Sequence, residues 1–146
     1  MKKASLILGV LLMTISTHIS PLNNAQVKKM LSACTGNVVS IKDIAEKLNT
    51  SPEAAFRTIL HFDKVVVDLY APWCGPCKAL APALERMANK RRDTLFLKVD
   101  IEQFPQIAKR YSIRSIPTIM YFKNGQMMGR VTGNDMRAIE TKAASL

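Results

Sequence analysis

Two apolar runs, residues 65–70 and 94–100, bracket a helical stretch at 78–90, and that order leaves the chain few ways to fold. Val65-Val66-Val67-Asp68-Leu69-Tyr70 is apolar but for one acid, and Leu95, Phe96, Leu97 and Val99 dominate the second run. Such runs, without polar alternation, read as strands buried on both faces. Between them Leu80, Ala83, Leu84 and Met87 repeat at helical spacing and form a core-facing stripe. Strand, helix, strand of this length closes as a right-handed crossover between parallel strands. Pro82 lies inside the helical stretch and is expected to bend it.

Where the first strand gives way to the helix stands Trp73-Cys74-Gly75-Pro76-Cys77-Lys78. Both sulfurs therefore sit at a helix N-terminus, where unpaired N–H groups and the helix dipole favour negative charge. A thiol in that position loses its proton more readily than a free one, whose pKa is ~8.5. Two cysteines with two residues between them can also close a small disulfide ring. The stretch reads as a reversible dithiol/disulfide couple. Asp68, six residues before Cys74, is an acid in a strand that should be buried. Unpaired burial raises a carboxyl pKa, which makes Asp68 a candidate proton carrier; a strand-end acid with solvent access or a salt bridge to Lys98 is the structural alternative.

Elsewhere the pattern is mixed. Residues 25–33 suit a short helix with Val27, Met30 and Leu31 on one face, broken by Thr35-Gly36-Asn37. Residues 38–41 suit a strand, and Ile41, Ile44, Ala45 and Leu48 a helix. Thr50-Ser51-Pro52-Glu53 opens another helix, with Thr50 as capping hydroxyl and Glu53 three residues on. Ala54, Ala55, Phe56, Ile59 and Leu60 carry it to His61, a surface residue on this reading. A short helix is expected over 104–111, with Ile107 and Ala108 inward. Residues 119–122 and 127–131 flank Lys123-Asn124-Gly125-Gln126, a hairpin signal. A last helix over 135–144 turns Met136, Ile139 and Ala143 inward.

At the N-terminus, Met1-Lys2-Lys3 precedes twelve residues broken only by Ser5, Gly9 and Thr14. This is the pattern of a secretory signal, shorter than the ~20 residues a membrane span needs. No Ala-x-Ala follows, and Thr14-Ile15-Ser16 is a tolerable substitute. A cleaved export signal, an uncleaved anchor, and an ordinary buried helix or miscalled start compete. The first two place the protein in the periplasm or outside the cell, with membrane anchoring as a variant; the third leaves it cytoplasmic. The expected organisation is 1–20 signal peptide or anchor, 21–37 linker with a short helix, and 38–146 one domain.

The net charge is +10, and +8 without Lys2 and Lys3. It reads first as solubility, and would otherwise suit acidic partners or an anionic membrane. No aromatic-interleaved basic patch points to nucleic acid. Three cysteines are too few for a disulfide scaffold or a four-cysteine zinc site, and His18 and His61 stand at no ligand spacing to the pair. Cys34 reads as a small buried residue, or as a regulatory or intermolecular thiol.

The segments Val65-Val66-Val67-Asp68, Ala71-Pro72-Trp73-Cys74-Gly75-Pro76-Cys77-Lys78, Ala81-Pro82, Lys98-Val99-Asp100, Ile116-Pro117-Thr118 and Phe122-Lys123-Asn124-Gly125 together resemble the thioredoxin family, in order and over about residues 38–146. The resemblance implies an α/β fold: a central mixed sheet with helices on both faces. It implies a cis Pro117 beside the disulfide and a backbone at Ile116 that pairs with an extended substrate segment. Cys74 becomes the exposed attacking thiolate, Cys77 the buried resolving thiol, and Asp68 the proton carrier with Lys98 as charge neighbour. Trp73 packs over the site. Gly75 and Pro76 between the cysteines resemble reducing members, and Gly133 lies near the substrate surface or serves only a turn. Tyr70 stands where the family usually has Trp.

The function implied is a protein thiol–disulfide oxidoreductase that reduces substrate disulfides. It needs no cofactor beyond the Cys74–Cys77 disulfide, and it is expected to be a monomer. Its partners are disulfide-containing proteins and, as donor, a disulfide reductase or a membrane electron donor. An export-side oxidant or isomerase with the same thiols is the alternative, favoured by the leader and opposed by Gly75-Pro76. A non-enzymatic module docking through the Pro117 surface is the third reading.

Overall fold

The computed structural model describes residues 24–146. The leader and residues 21–23 lie outside them. Eleven elements follow in order: α1 (Asn24–Ser32), β1 (Val38–Ser40), α2 (Ile41–Lys47), α3 (Pro52–Leu60), β2 (Lys64–Tyr70), α4 (Gly75–Lys90), β3 (Leu95–Asp100), α5 (Pro105–Arg110), β4 (Thr118–Lys123), β5 (Gln126–Thr132) and α6 (Met136–Ala144). No helix among the described residues is long and apolar enough to cross a membrane.

The five strands form one sheet in the order β1-β3-β2-β4-β5. β1, β3 and β2 run parallel, and β4 and β5 each run antiparallel to their neighbour. β2 is thus the middle strand, as its unbroken apolar run requires. Side chains alternate across a strand, so β2 feeds two cores. Val65, Val67 and Leu69 join Leu95, Leu97, Val99 and Phe122 with Ile44, Phe56 and Ile59 of α2 and α3 on one face. Val66 joins Phe96, Ile119 and Tyr121 with Leu80 and Leu84 of α4 and Ile139 of α6 on the other. The sheet is mixed and covered on both sides, in the α/β class.

Local chemistry sets the helix starts. Ser40 caps α2, its hydroxyl accepting the Asp43 N–H at 3.1 Å, and Asp135 caps α6 through the Ala138 N–H. Ile41 opens α2 rather than ending β1. The cap of α3 is Ser51, not the expected Thr50: its hydroxyl accepts the Ala54 N–H at 3.2 Å. Pro52 fixes this, because its ring favours the first helical position and the residue before it then takes the cap. α4 runs on through Pro82 from Gly75 to Lys90.

The β4–β5 hairpin turns at Asn124 and Gly125, with φ of 50° and 84°. Two consecutive left-handed residues make the tight turn whose twist matches paired strands. Further on, Tyr121 pairs Gly129 while Phe122 pairs Met127, so Met128 is an extra residue in a bulge. The bulge interrupts alternation, and Met127 and Met128 are both exposed.

The 24–37 segment takes part in the packing. Leu31 and Cys34 are buried in the same cluster as β2 and α3, with Val27 and Met30 packed against it. The core therefore reaches N-terminal of Val38.

Candidate active site

β2 ends at Tyr70 and α4 begins at Gly75, which leaves Ala71 to Cys74 to turn the chain at the sheet's edge. Cys74 is the N-cap of α4, in an extended conformation with φ −73° and ψ 106°. Its carbonyl accepts the Lys78 N–H at 3.1 Å and its sulfur accepts the Cys77 N–H at 3.2 Å. Pro76 has no N–H to offer, so Cys77 supplies the first amide beyond it. One orphan donor of the helix thus points at Cys74 Sγ, where it favours a thiolate. Cys74 and Cys77 form a disulfide with Cα atoms 5.3 Å apart.

The expectation of an exposed Cys74 needs correcting. Cys74 and Cys77 keep only 3% and 4% of their surface. The capping position turns the Cys74 side chain back over the helix start, where Tyr70, Ile101 and Ile116 pack against the cysteine pair. The two sulfurs still differ in access. Cys74 lines a cleft of about 490 Å³ and Cys77 does not. Trp73, Gly75 and Pro76 border that cleft from the α4 side, and Arg114, Ser115 and Ile116 from the loop before β4.

That loop is held by two hydrogen bonds. The Ile116–Pro117 peptide bond is cis. The Thr118 hydroxyl donates to the Ser115 carbonyl at 2.8 Å, and the Gly133 N–H donates to the Pro117 carbonyl at 2.8 Å. Gly133 has φ of 91°, and a Cβ there would meet nothing within 4 Å. Glycine is favoured at 133 by the left-handed backbone alone, and that backbone aims its N–H at Pro117. Gly75 has no such constraint.

Asp68 faces the same helix. On β2 it lies one pleat beyond Val66, which packs on Leu80 and Leu84; on α4, Cys77 lies one turn before Leu80. The strand and the crossover helix run in opposite senses, so Asp68 and Cys77 lie on facing surfaces. Asp68 is 8% exposed, and its Oδ1 has no hydrogen-bond partner among the described residues. Burial pushes its carboxyl up to about 7, against the opposing pull of the Lys98 ammonium. Lys98 is its register partner on β3. Lys98 itself is exposed, and no ion pair closes between the two among the described residues.

Trp73 is 67% exposed. Its indole N–H donates to Glu102 Oε1 at 2.7 Å. Glu102 is in turn placed by Asp100, which accepts the Glu102 N–H and the Gln103 side-chain amide, both at 2.9 Å. Sequence reasoning missed Glu102, because 29 residues separate it from Trp73. The Asp-x-Glu spacing after β3 is a turn signal, but nothing in it points to an indole.

A strand-to-helix turn that holds a dithiol pair beside a buried acid and a cis-proline loop matches a known family. The thioredoxin family model matches residues 47–145. The chain belongs to the thioredoxin family. It is 38% identical over 91 residues to thioredoxin-1 of Schizosaccharomyces pombe, covering 62% of this chain and 88% of that one. It is 50% identical over 70 residues to the thioredoxin of Mycoplasmoides gallisepticum, covering 48% and 70%. Among solved structures, spinach chloroplast thioredoxin f superposes with a TM-score of 0.67 at 28% identity over 80% of this chain and 92% of that one. Oxidised mitochondrial thioredoxin 3 of Saccharomyces cerevisiae gives 0.62 at 29% identity over 75% and 95%.

The protein is a thiol–disulfide oxidoreductase. Like other thioredoxins it works on disulfide-containing proteins through its own redox-active disulfide, without a cofactor. Among the described residues no group of three His, Cys, Asp or Glu could hold a metal.

Proposed function

We propose that this thioredoxin reduces disulfides of other proteins on the far side of the cytoplasmic membrane. The single observation that carries the chemistry is the Cys77 N–H held on Cys74 Sγ at the mouth of α4. In the reduced protein that amide and the helix dipole stabilise the Cys74 thiolate, which attacks one sulfur of a substrate disulfide. The other substrate sulfur leaves as a thiolate and takes a proton from solvent. Asp68, titrating near 7, accepts the Cys77 proton. The Cys77 thiolate then attacks Cys74 Sγ, re-forms the protein disulfide and expels the bound substrate sulfur as a thiolate, which takes the proton held by Asp68. Two electrons pass to the substrate, which leaves with two thiols.

The substrate segment lies extended against Ile116, in the cleft bounded by Trp73, Gly75 and Pro76, with Pro117 and Gly133 holding the opposite wall. Lys98, on the neighbouring strand, opposes the upward push of burial on the Asp68 carboxyl. The protein works as a monomer recharged by a disulfide reductase or a membrane donor.

Location rests on the basic start and apolar run of residues 1–15, read as an export signal or anchor. Direction rests on Gly75-Pro76, the dipeptide of reducing members. The leader favours a second reading, an oxidant or isomerase on the same two thiols. Equilibration with dithiothreitol and glutathione buffers separates them. A potential near about −270 mV fits the reductase, and one near about −120 mV fits the oxidant. The mechanism itself is tested by Cys74→Ser, which abolishes reduction of insulin disulfides; a Cys74→Ser protein that still reduces them refutes it.

A further inference from the structure

We propose that Arg114 makes the cleft selective for disulfides flanked by an acidic residue. This rests on the oxidoreductase reading and concerns which protein segments the site accepts. Arg114 lines the cleft together with Trp73 and Cys74, two residues ahead of Ile116. It is exposed, and its guanidinium has no hydrogen-bond or ion-pair partner among the described residues. No carboxylate is among the described residues that line the cleft; Glu102 stands behind Trp73 and accepts its indole N–H.

The cleft therefore presents an unsatisfied planar cation next to apolar Ile101, Ile113 and Ile116, on a chain whose net charge is +8 without Lys2 and Lys3. A guanidinium in that state takes a carboxylate through two parallel hydrogen bonds. An extended segment bonded to Cys74 and lying along Ile116 turns alternate side chains to one wall. The acid that meets Arg114 then stands one or two residues from the substrate cysteine. A Lys or Arg at that place meets like charge instead.

The test uses two disulfide-bonded peptides, identical except for Glu or Lys beside the cysteine. They react in single turnovers with protein reduced beforehand by dithiothreitol and freed of it. The Cys74 thiolate attacks the peptide disulfide and Cys77 releases the peptide as a dithiol, so no other reductant is needed. At low salt the Glu peptide reacts about three- to tenfold faster, the range expected when one exposed pair changes from repulsive to attractive. High salt brings the ratio towards one. Arg114→Gln lowers it to near one, and Arg114→Glu inverts it. Because both peptides meet the same protein sample, a general loss of activity cancels from the ratio. A ratio near one in the unaltered protein, or one that survives Arg114→Glu, overturns this inference and leaves the oxidoreductase reading standing. No exchange with either peptide overturns both.

Discussion

Replacing Asp68 with Asn makes this protein more stable, by an amount that depends on pH. Burial raises the Asp68 carboxyl from 3.8 to about 7, a gap of about three units. At ~1.4 kcal/mol per unit, ionised Asp68 costs the native state about 4 kcal/mol. The sign follows from proton counting. Below 3.8 both folded and unfolded chains hold the proton, and there is no penalty. Between 3.8 and about 7 only the folded chain keeps it, so wild-type stability falls as pH rises. Above about 7 both states are ionised and the penalty is constant. Asn removes the charge but still buries an amide where Oδ1 has no partner, a cost of about 1–2 kcal/mol. The net gain is therefore about 2–3 kcal/mol at alkaline pH, shrinking as the pH falls towards 4. Urea unfolding of the oxidised protein, wild type against Asp68→Asn over a pH series, measures it. Stability curves that run parallel across the series refute the claim that desolvation sets the Asp68 pKa.

Lys98→Gln removes the cation that opposes this desolvation, so the Asp68 midpoint rises further above about 7; a carboxyl-detected NMR titration reads it, and a midpoint that falls contradicts the assignment. Leu31→Ala, 2% exposed in the core shared by α1 and α3, lowers unfolding stability by about 2–4 kcal/mol; a loss under about 0.5 kcal/mol, the scale of a surface change, would show that α1 is not part of the cooperative unit.

What could be read in the sequence is what local chemistry decides. An apolar run long enough to be buried on both faces fixed β2 as the middle strand, and one acid within it announced Asp68. The Cys-Gly-Pro-Cys turn announced a helix start, and Asn124-Gly125 announced the hairpin. What stayed hidden depends on the third dimension. The Ser51 cap is missed by one residue because Thr50 and Ser51 both offer a capping hydroxyl, although Pro52 at the first helical position selects the residue before it. An exposed Cys74 is what the family resemblance implies, and a resemblance in sequence does not carry the side-chain direction that a capping sulfur takes. Glu102 and Arg114 look like any surface charges until the fold brings one to the Trp73 indole and leaves the other without a counterion. The apolar face with Leu31 and a buried Cys34 are legible in the sequence, but α1 is short and only weakly two-faced, so their joining the core of β2 and α3 is not.

Cys34 is 6% exposed and is the one free cysteine when Cys74 and Cys77 are joined. The oxidised molecule thus offers no ready sulfhydryl to a maleimide, and labelling waits for the N-terminal helix to lift. The rate of that labelling counts helix excursions at a single natural position. Cys34 packs in the cluster under α1 to α3 and not in the one that holds Cys74 and Cys77, so the third sulfur stands apart from a mixed disulfide at Cys74 and turnover shuttles between two sulfurs.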